Sequence, residues 1–350
     1  MRKHLPLFTA IALVFSILSA SGQSLFENIT HFNQTVFVKS VAEDPSGHLL
    51  VMGETTNGGG PFGGGVDKIV LMKHKADGTL LWTKYYNSDA EDGAYHISLA
   101  ASGDHYALAG YVMGNGTNSR DGLLLVTDTA GTVLHSIRAD HTGSNAYHSV
   151  SPTPDGWVLA GRSDGGAGGS YDLQLTHLQS DGTPVFSRTY GGSEWDWAYW
   201  AEAYADGFIV AGYGDSFGGG FSDPILIRTD GAGDVVWART ISTPTAEDGM
   251  YCTSDSQGNI YFSGYSLGLI SGDPNIKGFV AKINASGELQ WCKAVSNWSS
   301  IPSICITPDD RVNLVGDATD LPDGLGGQDI GLVRLSSEGE PLGGYLYGSP

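Results

Sequence analysis

Apolar residues fall in short runs of five to eight along this chain, separated by glycine, aspartate and serine. Runs of that length, rich in Val, Ile, Leu and Tyr and closed by turn residues, predict β-strands. No apolar pattern of helical period and useful length occurs after residue 22. The runs come in fours. In one stretch they occupy roughly 197–204, 207–213, 223–230 and 234–241. The second run of each set reads HLLVMG, HYALAG, GWVLAG, GFIVAG, NIYFSG and RVNLVG. The third reads DKIVLMK, DGLLLVT, DLQLTHL, DPILIRT, GFVAKIN and DIGLVRL. These near-continuous apolar runs predict strands covered on both faces.

Two glycine columns fix the period. One closes the second run at Gly53, Gly110, Gly161, Gly212, Gly264 and Gly316, in steps of 57, 51, 51, 52 and 52 residues. The other sits in the turn before the fourth run, at Gly78, Gly131, Gly182, Gly233, Gly287 and Gly339. The first column is expected to permit a bulge or a close backbone approach. The turns, such as Asp77-Gly78 and Asp181-Gly182, suit tight reversals. Four antiparallel strands repeated six times predict an all-β fold, a six-bladed β-propeller of four-stranded blades. It is expected as a single domain over residues 23–350. Residues 24–32 (SLFENITHF) and the C-terminal GYLYGSP both read as fourth strands, and either could close a ring.

The units resemble the bacterial β-propeller repeats of the SBBP type. The resemblance rests on Gly278–Trp291 (GFVAKINASGELQW), on Tyr190-Gly191-Gly192 and on Glu247-Asp248-Gly249, and it covers nearly all of the chain after residue 22. It implies a propeller scaffold, common in exported bacterial proteins, and no single activity.

Composition adds direction. The sequence has 350 residues, 51 of them Gly, and a net charge of −20. Arg2 and Lys3 followed by apolar Leu5–Ala20 and small Ala20-Ser21-Gly22 predict a signal peptide cleaved near Gly22, hence a secreted, extracellular or periplasmic protein. Removing residues 1–22 leaves 16 basic and 38 acidic residues, a net charge of −22. Such a field repels nucleic acid and anionic membranes. No later stretch is apolar and long enough to insert in a membrane, and a monomer is expected. Cys252, Cys292 and Cys305 lack CxxC spacing and cannot all pair. By register Cys252 shares an apolar column with Val41, Ile97, Val150, Ala201 and Ile304. It is therefore expected in the core, with Cys305 on the opposite face and Cys292 a lone thiol.

Candidate chemistry lies where units join. The loops before each first strand carry Glu91-Asp92, Asn145, Glu194-Trp195-Asp196-Trp197 and Glu247-Asp248. They are expected on one face around a central channel, beside Tyr199, Trp200, Tyr251 and Trp298. Recurrence of the acids favours a structural role, pinning blade to blade. The aromatics of the fourth unit are not repeated, which suits one local binding patch. Trp195, Trp197, Tyr199 and Trp200 with Glu194, Asp92 and Glu247 are the candidate ligand contacts. Asp196 and Asp248 are the candidate catalytic carboxylates, since glycoside cleavage needs two acids about 5–9.5 Å apart. Asp317, Asp320, Asp323 and Asp329 offer Ca²⁺ ligands, although their spacing departs from the EF-hand loop; the plain reading is solvated surface carboxylates. No other cofactor is implied. The D-x-x-G-x-x-x-W turn is also similar to quinoprotein repeats. Its tryptophan is present at Trp82, Trp237 and Trp291 but replaced by His135, Phe186 and Gly343, and no adjacent cysteine pair exists. No HExxH, GxSxG or phosphate-loop arrangement occurs. The leading expectation is a non-enzymatic exported propeller that binds a glycan or a surface protein. The alternatives are a glycoside hydrolase or lyase, and a purely structural surface protein.

Overall fold

The computed structural model describes residues 35–56, 68–86, 92–99, 103–113, 120–139, 143–164, 170–218, 222–241, 247–268, 275–295, 298–319 and 328–347. The expected signal peptide, the 24–32 segment and residues 348–350 lie outside the described residues. The chain forms six four-stranded antiparallel sheets and has the fold of a six-bladed β-propeller. In every sheet consecutive strands are neighbours. Blades 1 to 6 span 35–86, 92–139, 145–190, 196–240, 247–295 and 298–347. They gather into two compact units of three blades each, parted between Tyr190 and Gly191. Blade 4 consists of Asp196–Tyr204, Gly207–Gly214, Asp223–Asp230 and Val235–Thr240. Those bounds match the four sequence runs to within a residue.

Each unit builds its core the same way: the first strand of one blade packs on the sheet before it. In the unit of blades 1–3, Leu50, Met52 and Leu71 meet Tyr106, Leu108 and Leu125, and Ala109 and Leu124 meet Tyr147, Val150 and Leu159. In the unit of blades 4–6, Ile209 and Leu226 meet Cys252, Phe262 and Phe279. Val280 and Tyr261 meet Trp298, Ile304 and Leu314. Each such Leu, Ile or Phe contributes roughly 1.5–3 kcal/mol on burial. Cys252 is fully buried, and Val150, Ala201 and Ile304 of its column are buried with it. Val41 departs from the column and is 63% exposed. All three cysteines are free thiols, with Cys305 exposed as its register requires.

The column glycine lies two or three residues inside the end of each second strand, and its presence has a clear physical cause. First and second strands pair through a register shift, for example between Ala198 and Trp200 and between Gly249 and Tyr251. The bulge turns a first-strand carbonyl toward the facing glycine. A Cβ at Gly161, Gly212 or Gly264 would collide with the carbonyl oxygen of Ala146, Trp197 or Asp248. The turn column is different: Gly131, Gly182, Gly287 and Gly339 all have positive φ. In the last unit Asp310 stands at another such position, with φ of 57°. Aspartates brace these turns. Asp230 Oδ1 accepts the N–H groups of Ala232 and Asp234, each at 2.9 Å.

A second repeated device joins blade to blade. Across the third and fourth strands a cation faces a tryptophan nine residues on: Lys73 and Trp82, Arg228 and Trp237, Lys282 and Trp291. The tryptophans of blades 4 and 5 reach the following blade's turn, two residues before its glycine. Trp237 Nε1 donates to the Ala285 carbonyl at 3.1 Å, and Trp291 Nε1 to the Ser337 carbonyl at 3.4 Å. Lys282 Nζ donates to the same Ser337 oxygen at 3.0 Å. Lys73 Nζ is held by Asp44, at 2.8 Å, and by Tyr106 of the next blade, also at 2.8 Å.

Candidate functional site

The acids of the unit junctions open the first strands. Asp92, Asn145, Asp196 and Glu247 are the first residues of Asp92–Leu99, Asn145–Thr153, Asp196–Tyr204 and Glu247–Ser254. Register therefore puts Glu247, rather than Asp248, in the place of Asp196: Asp196 faces Gly214 and Glu247 faces Ser266. Asp248 takes the place of Trp197. Glu91 and the side chain of Asp92 lie outside the described residues.

Asp196 is fully buried. Its carboxylate accepts the N–H of Gly192 at 3.0 Å and that of Ser216 at 3.1 Å, tying two loops together. Burial pushes its carboxyl above the usual range, partly offset by those bonds. Glu247 is also fully buried, with Ser266 Oγ donating to it at 3.3 Å. Both acids are braces, sealed from solvent, which corrects Asp196 as a catalytic candidate and Glu247 as a ligand contact. Trp200 is corrected likewise. It is 8% exposed and stacks on Tyr251 of the next blade with ring centroids 4.0 Å apart. Trp298 is buried in the core between blades 5 and 6.

The other aromatics do form a surface. Trp195 is 52% exposed and lies parallel to Trp197, centroids 6.2 Å apart and planes inclined by 13°. Trp197 continues to Tyr213 at 5.8 Å and Tyr199 at 6.5 Å, and Tyr199 meets Tyr213 at 5.8 Å. Strand alternation explains the set. Residues 195, 197 and 199 share one face, while 196 points the other way.

Half-buried Asp248 accepts from Tyr265 OH at 2.6 Å and Ser222 Oγ at 3.0 Å. Burial pushes its carboxyl up, against those two bonds. Asp215, exposed, follows the second strand of blade 4, and its N–H donates to the Trp195 carbonyl at 2.8 Å. Desolvation raises its carboxyl, and the charges of Asp196, Asp248, Glu194 and Asp223 raise it further. Tyr213 is pushed up by burial and by Tyr199, Asp248 and Asp215. The site is thus an aromatic shelf edged by Asp215, Asp248, Tyr265 and Glu194. Sequence reasoning missed Asp215, Tyr213 and Tyr265, because antiparallel pairing, and not proximity in the chain, brings them there. An aromatic shelf edged by acceptors can stack on the apolar face of a sugar ring and accept its hydroxyl protons.

Of the calcium candidates, two lie among the described residues. Asp317 is exposed and accepts from Ser300 Oγ at 3.0 Å, and Asp329 is buried. Asp320 and Asp323 lie outside the described residues. Among the described residues no group of three or more acids, imidazoles or thiols is placed to hold a metal ion. Among them, too, no helix is long and apolar enough to cross a membrane.

No protein-family model matches the chain, and no curated protein does. Solved structures do. A periplasmic gluconolactonase of Pseudomonas aeruginosa is 13% identical with a TM-score of 0.57, covering 95% of this chain and 92% of its own. A protein from Lactobacillus plantarum is 12% identical with a TM-score of 0.57, over 89% of this chain and 85% of its own. A putative 6-phosphogluconolactonase of Bacteroides uniformis is 12% identical with a TM-score of 0.56, over 89% and 86%. At such identity the likeness shows a shared β-propeller fold, and the site must be read from this chain's own residues.

Proposed function

We propose that the protein is an exported binding module that holds a neutral, hydroxyl-rich glycan on the Trp195 shelf. The observation that carries this reading is the parallel Trp195–Trp197 pair, half exposed at its outer ring and edged by carboxylates that accept hydrogen bonds. A flat indole suits the axial C–H face of a pyranose, and acceptors at its rim suit the hydroxyls. The negative field of the chain disfavours sulfated or uronic polymers and favours neutral ones. Binding on an exposed shelf suits a polymer presented from one side.

A glycan array followed by titration calorimetry tests this. Trp195→Ala is expected to weaken binding at least tenfold with the melting temperature unchanged, because half of the ring already faces water. Asp248→Asn is expected to cost severalfold. A wild-type protein that binds no neutral glycan overturns the proposal, and so does a Trp195→Ala variant that binds as well as wild type.

One observation favours a second reading, glycoside cleavage. Asp215 and Asp248 lie close enough for the charge of one to raise the other, and both carboxyls are raised. Two carboxyls coupled through their charge can divide the acid and base roles that a glycosidase needs. Release of reducing sugar that Asp215→Asn and Asp248→Asn both abolish would select this reading over simple binding.

A further inference from the structure

Blade 2 lacks the cation-and-tryptophan pair, and a cavity lies at its junction with blade 3. In blade 2 the pair reads Val126 and His135, where blades 1, 4 and 5 have lysine or arginine with tryptophan. Between blades 2 and 3 lies an open cleft of about 390 Å³. Val126 and His135 line it from blade 2, facing Asp155, Trp157, Ser180 and Asp181 of blade 3.

Equivalence with the junction of blades 5 and 6 is residue by residue. Val126 corresponds to Lys282 and His135 to Trp291, by the same cross-strand pairing. Ser180 and Asp181 precede turn glycine Gly182 as Ser337 and Glu338 precede Gly339. In the later junction Lys282 Nζ reaches the Ser337 carbonyl at 3.0 Å and lies 4.0 Å from Glu338. In the earlier one neither the ammonium nor the indole N–H is supplied. The cleft is a lysine socket without its lysine.

Its chemistry matches that origin. No lysine or arginine lines it among the described residues. Asp155 and Asp181 are both held below the usual carboxylate range. Asp155 is held by the Thr153 hydroxyl, with His177 Nε2 also 3.1 Å away, and Asp181 by the Thr183 N–H. Both are therefore negative at neutral pH. The inner wall is apolar, with Val126 and Trp157 each at most 3% exposed, and the indole Nε1 of Trp157 has no acceptor among the described residues. An apolar wall beneath two carboxylates suits a short alkyl chain carrying a positive charge, the shape of the side chain that sibling blades place there.

We propose that the cleft between blades 2 and 3 binds a small alkylammonium compound. Its alkyl part lies on Val126 and Trp157, and its ammonium group is held by Asp181, Asp155 and the Ser180 carbonyl. This site is separate from the Trp195 shelf and does not depend on it.

The test titrates the full chain with n-butylammonium and with putrescine, followed by protein NMR shifts and by melting temperature, with 1-butanol as the uncharged control. Saturable binding of the ammonium compounds is expected with a Kd of about 1–10 mM, as suits ligands this small, together with no saturable binding of 1-butanol. Val126→Lys supplies the ammonium from within and is expected to lower the affinity at least tenfold. His135→Trp restores the other half of the sibling pair and is expected to narrow the cleft with the same result. Asp181→Asn, on an exposed turn, is expected to weaken binding about fivefold without disturbing the fold, so the test stands even if Val126→Lys does not fold. The proposal is overturned if the wild type shows no saturable shift, if 1-butanol binds as tightly, or if folded Asp181→Asn and His135→Trp variants bind as the wild type does.

Discussion

Glu202→Gln is expected to stabilise the protein at pH 8 by about 3 kcal/mol and to leave its stability at pH 4 nearly unchanged. Glu202 lies on the first strand of blade 4, against blade 5, and the same column elsewhere carries Ala42, Ser98, Ser151, Thr253 and Cys305. It is the one acid of that column. Burial pushes its carboxyl from 4.5 up to about 7, although donors from Trp200, Thr253 and Ser254 hold it down in part. Burial raises the neighbouring Tyr251 and Cys252, and the charge of Glu202 raises them further. Among the described residues it has no cation as a partner.

The sign follows from which state holds the proton. Between pH 4.5 and about 7 the folded protein keeps a proton on Glu202 that the unfolded chain has released. Stability from this group is thus complete below pH 4.5 and is lost as pH rises through about 7. Each tenfold gain in proton affinity on folding corresponds to about 1.4 kcal/mol. The rise from 4.5 to about 7 therefore amounts to about 3 kcal/mol. Glutamine keeps the shape and never ionises. Urea unfolding of wild type and variant at half-unit steps from pH 4 to 8 measures the difference directly. A gap that stays flat across that window would show instead that Glu202 is solvated or neutralised in the folded protein.

Much of the architecture was legible because repetition amplifies it. One glycine at the end of one strand says little. Six at a nearly constant step imply six equal sheets, and the structure supplies the reason in the bulge carbonyl that faces Gly53, Gly161, Gly212, Gly264 and Gly316. Cys252 was legible by the same logic, because its column is apolar in every unit. The site was legible only in part. Trp195, Trp197 and Tyr199 were grouped by adjacency with Asp196 and Trp200, yet strand alternation and the bulge after Ala198 send the last two inward. Asp215 belongs to another loop, and only the pairing of two strands puts it beside Trp195. The lysine sockets were harder still. The nine-residue step from Lys282 to Trp291 is visible in the sequence, but its partner at Ser337 lies in the next blade. Hence the gap at Val126 and His135 has no signature until the sibling junctions are seen in three dimensions.

Scaffold and shelf meet at Gly212, where the largest loss is expected. A methyl group there would overlap the Trp197 carbonyl oxygen and press on the Ala198 backbone, both in the bulged strand that carries the shelf. Neither neighbour is a side chain that can rotate away. The strand must shift as a whole, or the bulge must be given up, and giving it up reverses the facing of every residue beyond it. Gly212→Ala is therefore expected to destabilise by about 3 kcal/mol or more, at the upper end of overpacking costs, and to lower the melting temperature by roughly 6–12 °C. Glycan binding should fall with it even at temperatures where the variant is folded, because Trp197 and Trp195 are carried on the displaced strand. Gly192→Ala is the matched comparison. A methyl group there meets the Cβ and Oγ of Ser216, a residue beyond the end of the paired strand Gly207–Gly214, so its cost should be less than half that of Gly212→Ala. Differential scanning calorimetry of the two variants, with calorimetric titration of glycan at about 15 °C, separates a shifted strand from a general loss of stability. Equal melting temperatures for Gly212→Ala and wild type would mean that the bulge gives way without cost, and the steric origin of the whole glycine column would fall with it.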